Sequence, residues 1–179
     1  MRLDPAREND LIIQAQAGDR AAFEALVLHY RSPATRFAAS LVHNAYDAED
    51  ITQESFAKVW MNLSGFKPGS SFKSWLFTII RNRCIDHMRT QKTLYPFPED
   101  WDPPGGTEPQ AELEAKELWQ AFAANYRQLP NDARMAIYLF AAEGLSYKEI
   151  AGVMGKSTTA VKTLIYRTRK ALKQKGEQP

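Results

Sequence analysis

Apolar residues recur every three or four positions along most of this chain, in blocks separated by polar, glycine- or proline-containing breaks. That period lines them up along one side of a helix, and no two-residue alternation competes with it. A short first helix is expected from a cap at Asp10 through Ala17, closed by Gly18, with residues 1–9 polar and frayed. Asp19 is placed to cap the next helix, where Phe23, Leu26, Val27 and Tyr30 keep helical spacing. Phe37 and Leu41 continue the stripe beyond Pro33, which is expected to kink or divide this helix. Over residues 46–63, Asp47 suits the cap and Ile51, Phe56, Val59, Trp60 and Leu63 form the core stripe. Residues 65–71, GFKPGSS, read as a loop, and residues 72–90 as a long helix.

Periodicity then disappears. The stretch QKTLYPFPEDWDPPGGTEPQ is rich in Pro and Gly and carries Glu99, Asp100, Asp102 and Glu108. It reads as a flexible acidic linker of about 20 residues, able to stretch to roughly 65–70 Å, close to two turns of B-DNA. Trp101 is unusual there and suits packing onto a domain or a partner. Helical patterning resumes over residues 111–128, with Ala115, Leu118, Trp119, Phe122 and Tyr126 inward, and breaks at Leu129 and Pro130. Residues 131–143 follow, with Met135, Ile137, Leu139 and Phe140 available to the core and Gly144 as the stop. In the last block Ser146 and Glu149 form a capping box, Ile150 and Val153 share a face, and Gly155 suits a left-handed helix end. Ser157 can cap the final helix, whose stripe is Val161, Ile165, Thr168 and Leu172. The expected fold is all-α: two helical domains, residues 8–92 and 111–175, joined by a linker over 93–110, the second ending in a helix-turn-helix.

Composition narrows the class. Hydrophobic content of 44% with 25% charged residues fits a soluble globular protein. Cys84 is the single cysteine and sits in an apolar run, so it reads as a packed core thiol in a chain suited to a reducing cytoplasm. There is no signal-peptide pattern and no long apolar run, so neither export nor membrane insertion is expected. His29 and His43 have no partners at metal-ligand spacing, and no polar constellation suggests catalysis. No metal, cofactor or small-molecule substrate is therefore expected.

The net charge of +2 matters less than its distribution. From Ser146 onward, eight Lys/Arg stand against Glu149 and Glu177, a local charge of about +6 that suits a polyanion. Opposite the buried stripe of the final helix lie Thr158, Thr159, Lys162, Thr163, Tyr166, Arg167 and Lys170. Small hydroxyl residues near a helix start can approach base edges in a major groove while basic residues further along meet phosphates. The bland alternative is a solvated helical hairpin. In residues 72–90, Trp75, Asn82 and Arg89 stand seven apart, with Thr78 and Asp86 on nearly the same face. From Lys67 to Lys92 there are six basic residues against Asp86 alone. Such a surface can stack bases and track a backbone; equally, Trp75 can be a core residue. Asp50, Gln53, Glu54 and Ala57 form a separate acidic-polar face, which either is solvated or meets a basic protein.

In order along the chain, these stretches resemble the sigma-70 family of RNA polymerase sigma factors, in its extracytoplasmic-function (ECF) group. DAEDITQESFAKVW is similar to the family's polymerase-docking helix, and FKSWLFTIIRNRCIDHMR to its −10-reading, strand-opening helix. Leu129-Pro130, then EGLSYKEIA and the helix through Arg169, resemble its −35-reading domain. The likeness spans nearly Gln14 to Lys173 and implies a non-enzymatic initiation factor in the cytoplasm. Its partners would be core RNA polymerase, promoter DNA and, as a further candidate, an anti-sigma factor. It implies polymerase contacts from Asp47, Asp50, Gln53, Glu54 and Lys58. It implies −10 contacts from Lys67, Ser70, Lys73, Trp75, Arg81, Asn82, Asp86 and Arg89. For the −35 element it implies Tyr147, Lys156, Thr158, Thr159, Lys162, Thr163, Tyr166, Arg167 and Lys170. The chain departs from the family's usual residues at Thr159-Ala160, at Leu164 and at Arg167-Thr168-Arg169, which bears on the sequence it would read. A stand-alone helix-turn-helix regulator would account for the second domain but not for the acidic helix.

Overall fold

The computed structural model describes residues 3–42, 44–91, 125–126 and 128–176. Among them the order is α1 (Pro5–Gln16), α2 (Arg20–Val42), α3 (Ala45–Asn62), a 3-10 turn (Leu63–Gly65), α4 (Phe72–Gln91), α5 (Asn131–Ala141), α6 (Tyr147–Met154) and α7 (Thr158–Gly176). The chain divides into two compact units, Met1–Pro96 and Phe97–Pro179.

In the first unit α2 packs against α1, α3 and α4, and α3 packs against α4. Leu26, Phe37, Leu41, Leu63, Phe72, Leu76, Phe77 and Ile80 are fully buried between them. The chain enters helix earlier than its polar start suggested. Asp4, not Asp10, caps α1, accepting a hydrogen bond from the Arg7 amide, and Pro5 opens the helix. Proline there loses no bond, because a first-turn amide has no helical partner. Glu8 and Asn9 are held by tertiary contacts. The Tyr30 hydroxyl donates to Glu8, and Asn9 Oδ1 accepts from the Gly69 amide at 3.1 Å. Gln16 Nε2 donates to the Leu63 and Phe66 carbonyls at 2.8 and 2.6 Å, tying α1 to the 3-10 turn and the loop after it.

Asp19 caps α2 as expected, accepting from Ala21 and Ala22. Pro33 does not divide that helix, which runs unbroken through it. Proline inside a helix costs about 3 kcal/mol, but Tyr30, Ala34, Phe37 and Ala38 are buried on both sides of it. Burial of several side chains outweighs one lost amide. The cap of α3 is Asn44, whose Oδ1 accepts from Tyr46 and Asp47, so Asp47 lies in the first turn with its carboxylate turned elsewhere. Ile51, Phe56, Val59 and Leu63 are buried, but Trp60 is 36% exposed, with its ring 4.8 Å from Phe23. Cys84 is buried, and burial pushes its thiol up to about 12. His29 packs edge-on against Tyr30, and burial lowers its pKa. His43, Trp101, the proposed linker and most of the helix expected over 111–128 lie outside the described residues.

Among the described residues of the second unit, α5, α6 and α7 pack against one another pairwise. Pro130 precedes α5, and Gly144, at φ +67°, follows it. Met135, Ile137, Leu139, Ile150, Val153, Met154, Val161 and Ile165 form the core. Buried among them is Arg134, whose guanidinium donates to Asn131 while its carbonyl accepts from the Tyr126 hydroxyl. Desolvation lowers its pKa. The Ser146–Glu149 capping box is complete, with the Ser146 amide donating to Glu149 Oε2 at 2.9 Å. Gly155 takes φ +63°, the left-handed turn between the two helices, and Ser157 accepts from the Ala160 amide at the start of α7.

Candidate nucleic-acid and protein-docking surfaces

Three groups of predicted residues can be placed. On α3, Asp50, Gln53 and Lys58 are exposed and share the helix with Glu54. Two acidic residues of this helix are already engaged inside the unit. Glu54 Oε2 lies 2.6 Å from the Arg83 guanidinium, and Asp47 Oδ2 lies 3.1 Å from His87 Nε2. Arg83 and His87, both on α4, were not among the residues singled out from the sequence. A basic residue four positions from a histidine carries no signal until the facing helix is known.

On α4, Trp75 is half-buried, in a cluster of rings. Its ring centroid is 4.9 Å from Phe66 and 5.9 Å from Phe72, and Phe72 in turn is 5.5 Å from Tyr30. Trp75 therefore packs on the core and still presents part of its surface. One turn on, the Thr78 hydroxyl donates to the Ser74 carbonyl. Arg81 donates to Asn82 Oδ1 at 3.1 Å, and Asn82 is exposed. Asp86 and Arg89 are both largely exposed, 3.9 Å apart along the helix. The Lys73 ammonium lies 6.0 Å over the Phe77 ring. In the loop before α4, Lys67 and Ser70 are exposed, joined by a turn in which the Ser70 amide donates to the Lys67 carbonyl. Ser71 begins α4, accepting from the Ser74 amide.

In the second unit, Thr159, Lys162, Thr163, Tyr166, Arg167 and Lys170 are all exposed on α7, with Thr158 half-buried at its start. Tyr166 is 70% exposed. On the opposite side Val161, Ile165 and Thr168 are buried. Tyr147 is stacked on Phe140 with parallel rings 5.3 Å apart, and the Lys162 ammonium sits 5.8 Å over the Tyr147 ring. Lys156, in the turn, is 2.9 Å from Asp132 of α5. The turn is therefore braced to α5, and Lys156 is shared between that brace and any external anion. One shallow apolar groove, about 320 Å³, is lined by Arg20, Phe23, Glu24, Phe56, Ala57 and Trp60. Among the described residues no cluster of His, Cys, Asp and Glu could hold a metal ion, and no helix is long and apolar enough to cross a membrane.

An acidic-faced helix packed on a basic, aromatic one, followed along the chain by a helix-turn-helix, defines a DNA-reading factor with a second surface for a protein. Comparison with known proteins gives it a family. The description "Sigma-70 region 2" matches residues 26–93 and "Sigma-70, region 4" matches residues 126–172. The RNA polymerase sigma-H factor of Pseudomonas aeruginosa is 31% identical over 188 residues, covering 99% of this chain and 97% of that protein. The ECF RNA polymerase sigma-E factor of Escherichia coli K12 is 31% identical over 176 residues, covering 92% of each. Among solved structures, CnrH in complex with the cytosolic domain of CnrY superposes with a TM-score of 0.70 at 28% identity, covering 94% of this chain and 96% of that one. The sigma factor RpoE in complex with the anti-sigma factor NepR, from Bartonella quintana, gives a TM-score of 0.73 at 30% identity, covering 86% and 95%. The chain belongs to the sigma-70 family, in its extracytoplasmic-function group. Its function is promoter-directed transcription initiation with RNA polymerase.

Proposed function

We propose that the two units divide this work, with residues 8–92 as the polymerase-docking and −10 domain, 93–110 as a linker, and 111–175 as the −35 domain. The exposed side of α3, with Asp50, Gln53 and Lys58 and with Asp47 and Glu54 at its margin toward α4, docks on core polymerase. Lys67, Ser70, Lys73, Trp75, Arg81, Asn82, Asp86 and Arg89 line the path of the opened −10 strand. Phosphate contacts supply affinity, and unstacked bases are captured against the aromatic part of that side. In the second unit Thr158, Thr159 and Thr163 face base edges, while Lys156, Lys162, Arg167 and Lys170 meet phosphates, flanked by Tyr147 and Tyr166. The chain supplies address and strand opening in the cytoplasm and is not itself an enzyme; bond formation belongs to the polymerase. An anti-sigma factor is a candidate partner, since RpoE of Bartonella quintana was solved with the anti-sigma factor NepR bound.

The observation that carries this reading is the packed pair α3 and α4. An acidic side sits beside a basic aromatic one, and DNA binding alone does not account for the acidic side. The test is reconstitution. Purified chain added to core polymerase should give initiation at starts mapped after overexpression, and neither component should do so alone. Binding as a dimer to a palindromic duplex, with no gain from polymerase, would replace this reading with that of a stand-alone regulator.

A further inference from the structure

The two halves of α4 are held to their unit by different forces. Phe72, Leu76, Phe77, Ile80 and Cys84 are all fully buried. After Cys84, no residue over 85–90 is buried. Those last turns carry Asp86 and Arg89, and Asn82 stands just before them. A helix end with no deeply buried side chain opens easily, because little apolar surface opposes its fraying.

Two contacts to α3 bracket the start of this half, an ion pair from Arg83 just before Cys84 and a hydrogen bond from His87 beyond it. The Arg83 guanidinium meets Glu54 at 2.6 Å, and His87 Nε2 meets Asp47 at 3.1 Å. Residues 83 and 87 are four apart and share one face of α4; residues 47 and 54 are seven apart and share one face of α3. The pairing runs in opposite directions along the two helices, so the pairs form two rungs of one ladder. Both are only partly exposed: the side chains of His87 and Asp47 are 27% and 28% accessible, those of Arg83 and Glu54 38% and 58%. Among the described residues the buried Arg83 Nε has no hydrogen-bond partner, while a terminal nitrogen of the same guanidinium is held by Glu54.

We infer that Arg83 and His87 are positioning residues for strand capture. Acting through Glu54 and Asp47, they hold the C-terminal half of α4 so that Asn82, Asp86 and Arg89 present one fixed surface to the single strand. The inference rests on the reading of α4 as the strand-capturing helix. It also links the docking helix to the capturing one, since both anchoring carboxylates belong to α3.

The experiment uses Arg83→Gln, His87→Gln and the exchanged pair Arg83→Glu with Glu54→Arg. In the full chain, amide hydrogen exchange over residues 86–91 should speed up about tenfold in each single variant while the amides of α2 are unchanged. The exchanged pair should regain protection. In holoenzyme, a single-stranded oligonucleotide carrying the −10 sequence of a mapped promoter should bind about two- to fivefold more weakly to Arg83→Gln and His87→Gln, as loss of such partly exposed polar contacts allows. In these two single variants affinity for core polymerase and for −35 duplex should not change; the exchanged pair, which alters Glu54 of the docking side, is read by hydrogen exchange alone. Unchanged exchange in the single variants, or no recovery in the exchanged pair, overturns the ladder. Faster exchange with unaltered strand affinity, where wild-type holoenzyme does hold the strand, overturns the positioning role alone. Failure of wild-type holoenzyme to hold the strand instead overturns the functional reading of α4.

Discussion

The ring of Trp75 lies 4.9 Å from that of Phe66, with 35° between their planes. A residue so placed stabilises its domain and, under the proposed function, also offers a surface to an unpaired base, so alanine would remove the two effects together. Trp75→Leu keeps apolar bulk against Phe66 and Phe72 and loses the stacking face. Its stability cost should be about 1–3 kcal/mol, measured by denaturant unfolding. One base–aromatic stack contributes about 1–3 kcal/mol. With polymerase, the variant should still engage −35 duplex yet fail to open the promoter, and a template mismatched over the −10 segment should restore much of the lost initiation. A folded variant that opens the intact promoter like wild type would return Trp75 to a purely structural role.

Asp50 is exposed on α3, and neither rung of the ladder uses it. Asp50→Lys should therefore leave helical content unchanged and alter stability by no more than about 0.5 kcal/mol. Co-purification with core polymerase should be lost. Retention of polymerase at wild-type levels would move the docking surface off this side of α3.

The residues of α7 should separate by kind. Lys162→Ala should weaken binding to all −35 duplexes alike and lower the salt slope by about one unit. Thr159 or Thr163 substitutions should instead change which base is preferred, measured by binding across a set of single-base variants. No change in preference when Thr158, Thr159 and Thr163 are altered together would mean that a different face reads the DNA.

Gly155 holds φ +63°, and nothing lies within 4 Å of where a Cβ would stand. The cost of Gly155→Ala is therefore conformational, about 1–2 kcal/mol for an L-residue held left-handed. Thermal unfolding should show that loss in the second unit and none in the first. Gly155→Asn should cost less, because asparagine tolerates this region.

Burial pushes the Cys84 thiol up to about 12 from 9.0. The native thiol should thus be inert to alkylation at pH 8 and react only as fast as the first unit opens. The folded state holds this proton more tightly than the unfolded one. Its contribution to stability is full below pH 9 and is lost as the pH rises from there toward about 12. Denaturant midpoints measured between pH 8 and pH 11 for wild type and Cys84→Ala should diverge in that direction.

Much of the fold was legible because helices of this length leave a periodic record. The Asp19 cap, the Ser146–Glu149 box, Gly155 and the buried stripe of α7 are local features, set by residues within a few positions of each other. The exposed Thr-and-basic side of α7 follows directly, as the complement of that stripe. One boundary that escaped is local, the Asn44 cap of α3, where Asp47 competes for the same role three residues on; others are settled in part at a distance. The Asp4 cap and Pro5 begin α1 locally, and the bonds of Asn9 and Gln16 to residues 63–69 hold that start in place; α2 passes Pro33 because both of its flanks are buried.

Charge patterning fared likewise. That Asp50, Gln53 and Glu54 share a face follows from helical spacing alone. That Glu54 and Asp47 are held by Arg83 and His87, and that Lys156 braces against Asp132, depends on which helix lies opposite. Along one helix, spacing determines which side chains are neighbours. Between helices, only packing brings a charge within reach of its partner, and the sequence by itself carries no record of that distance.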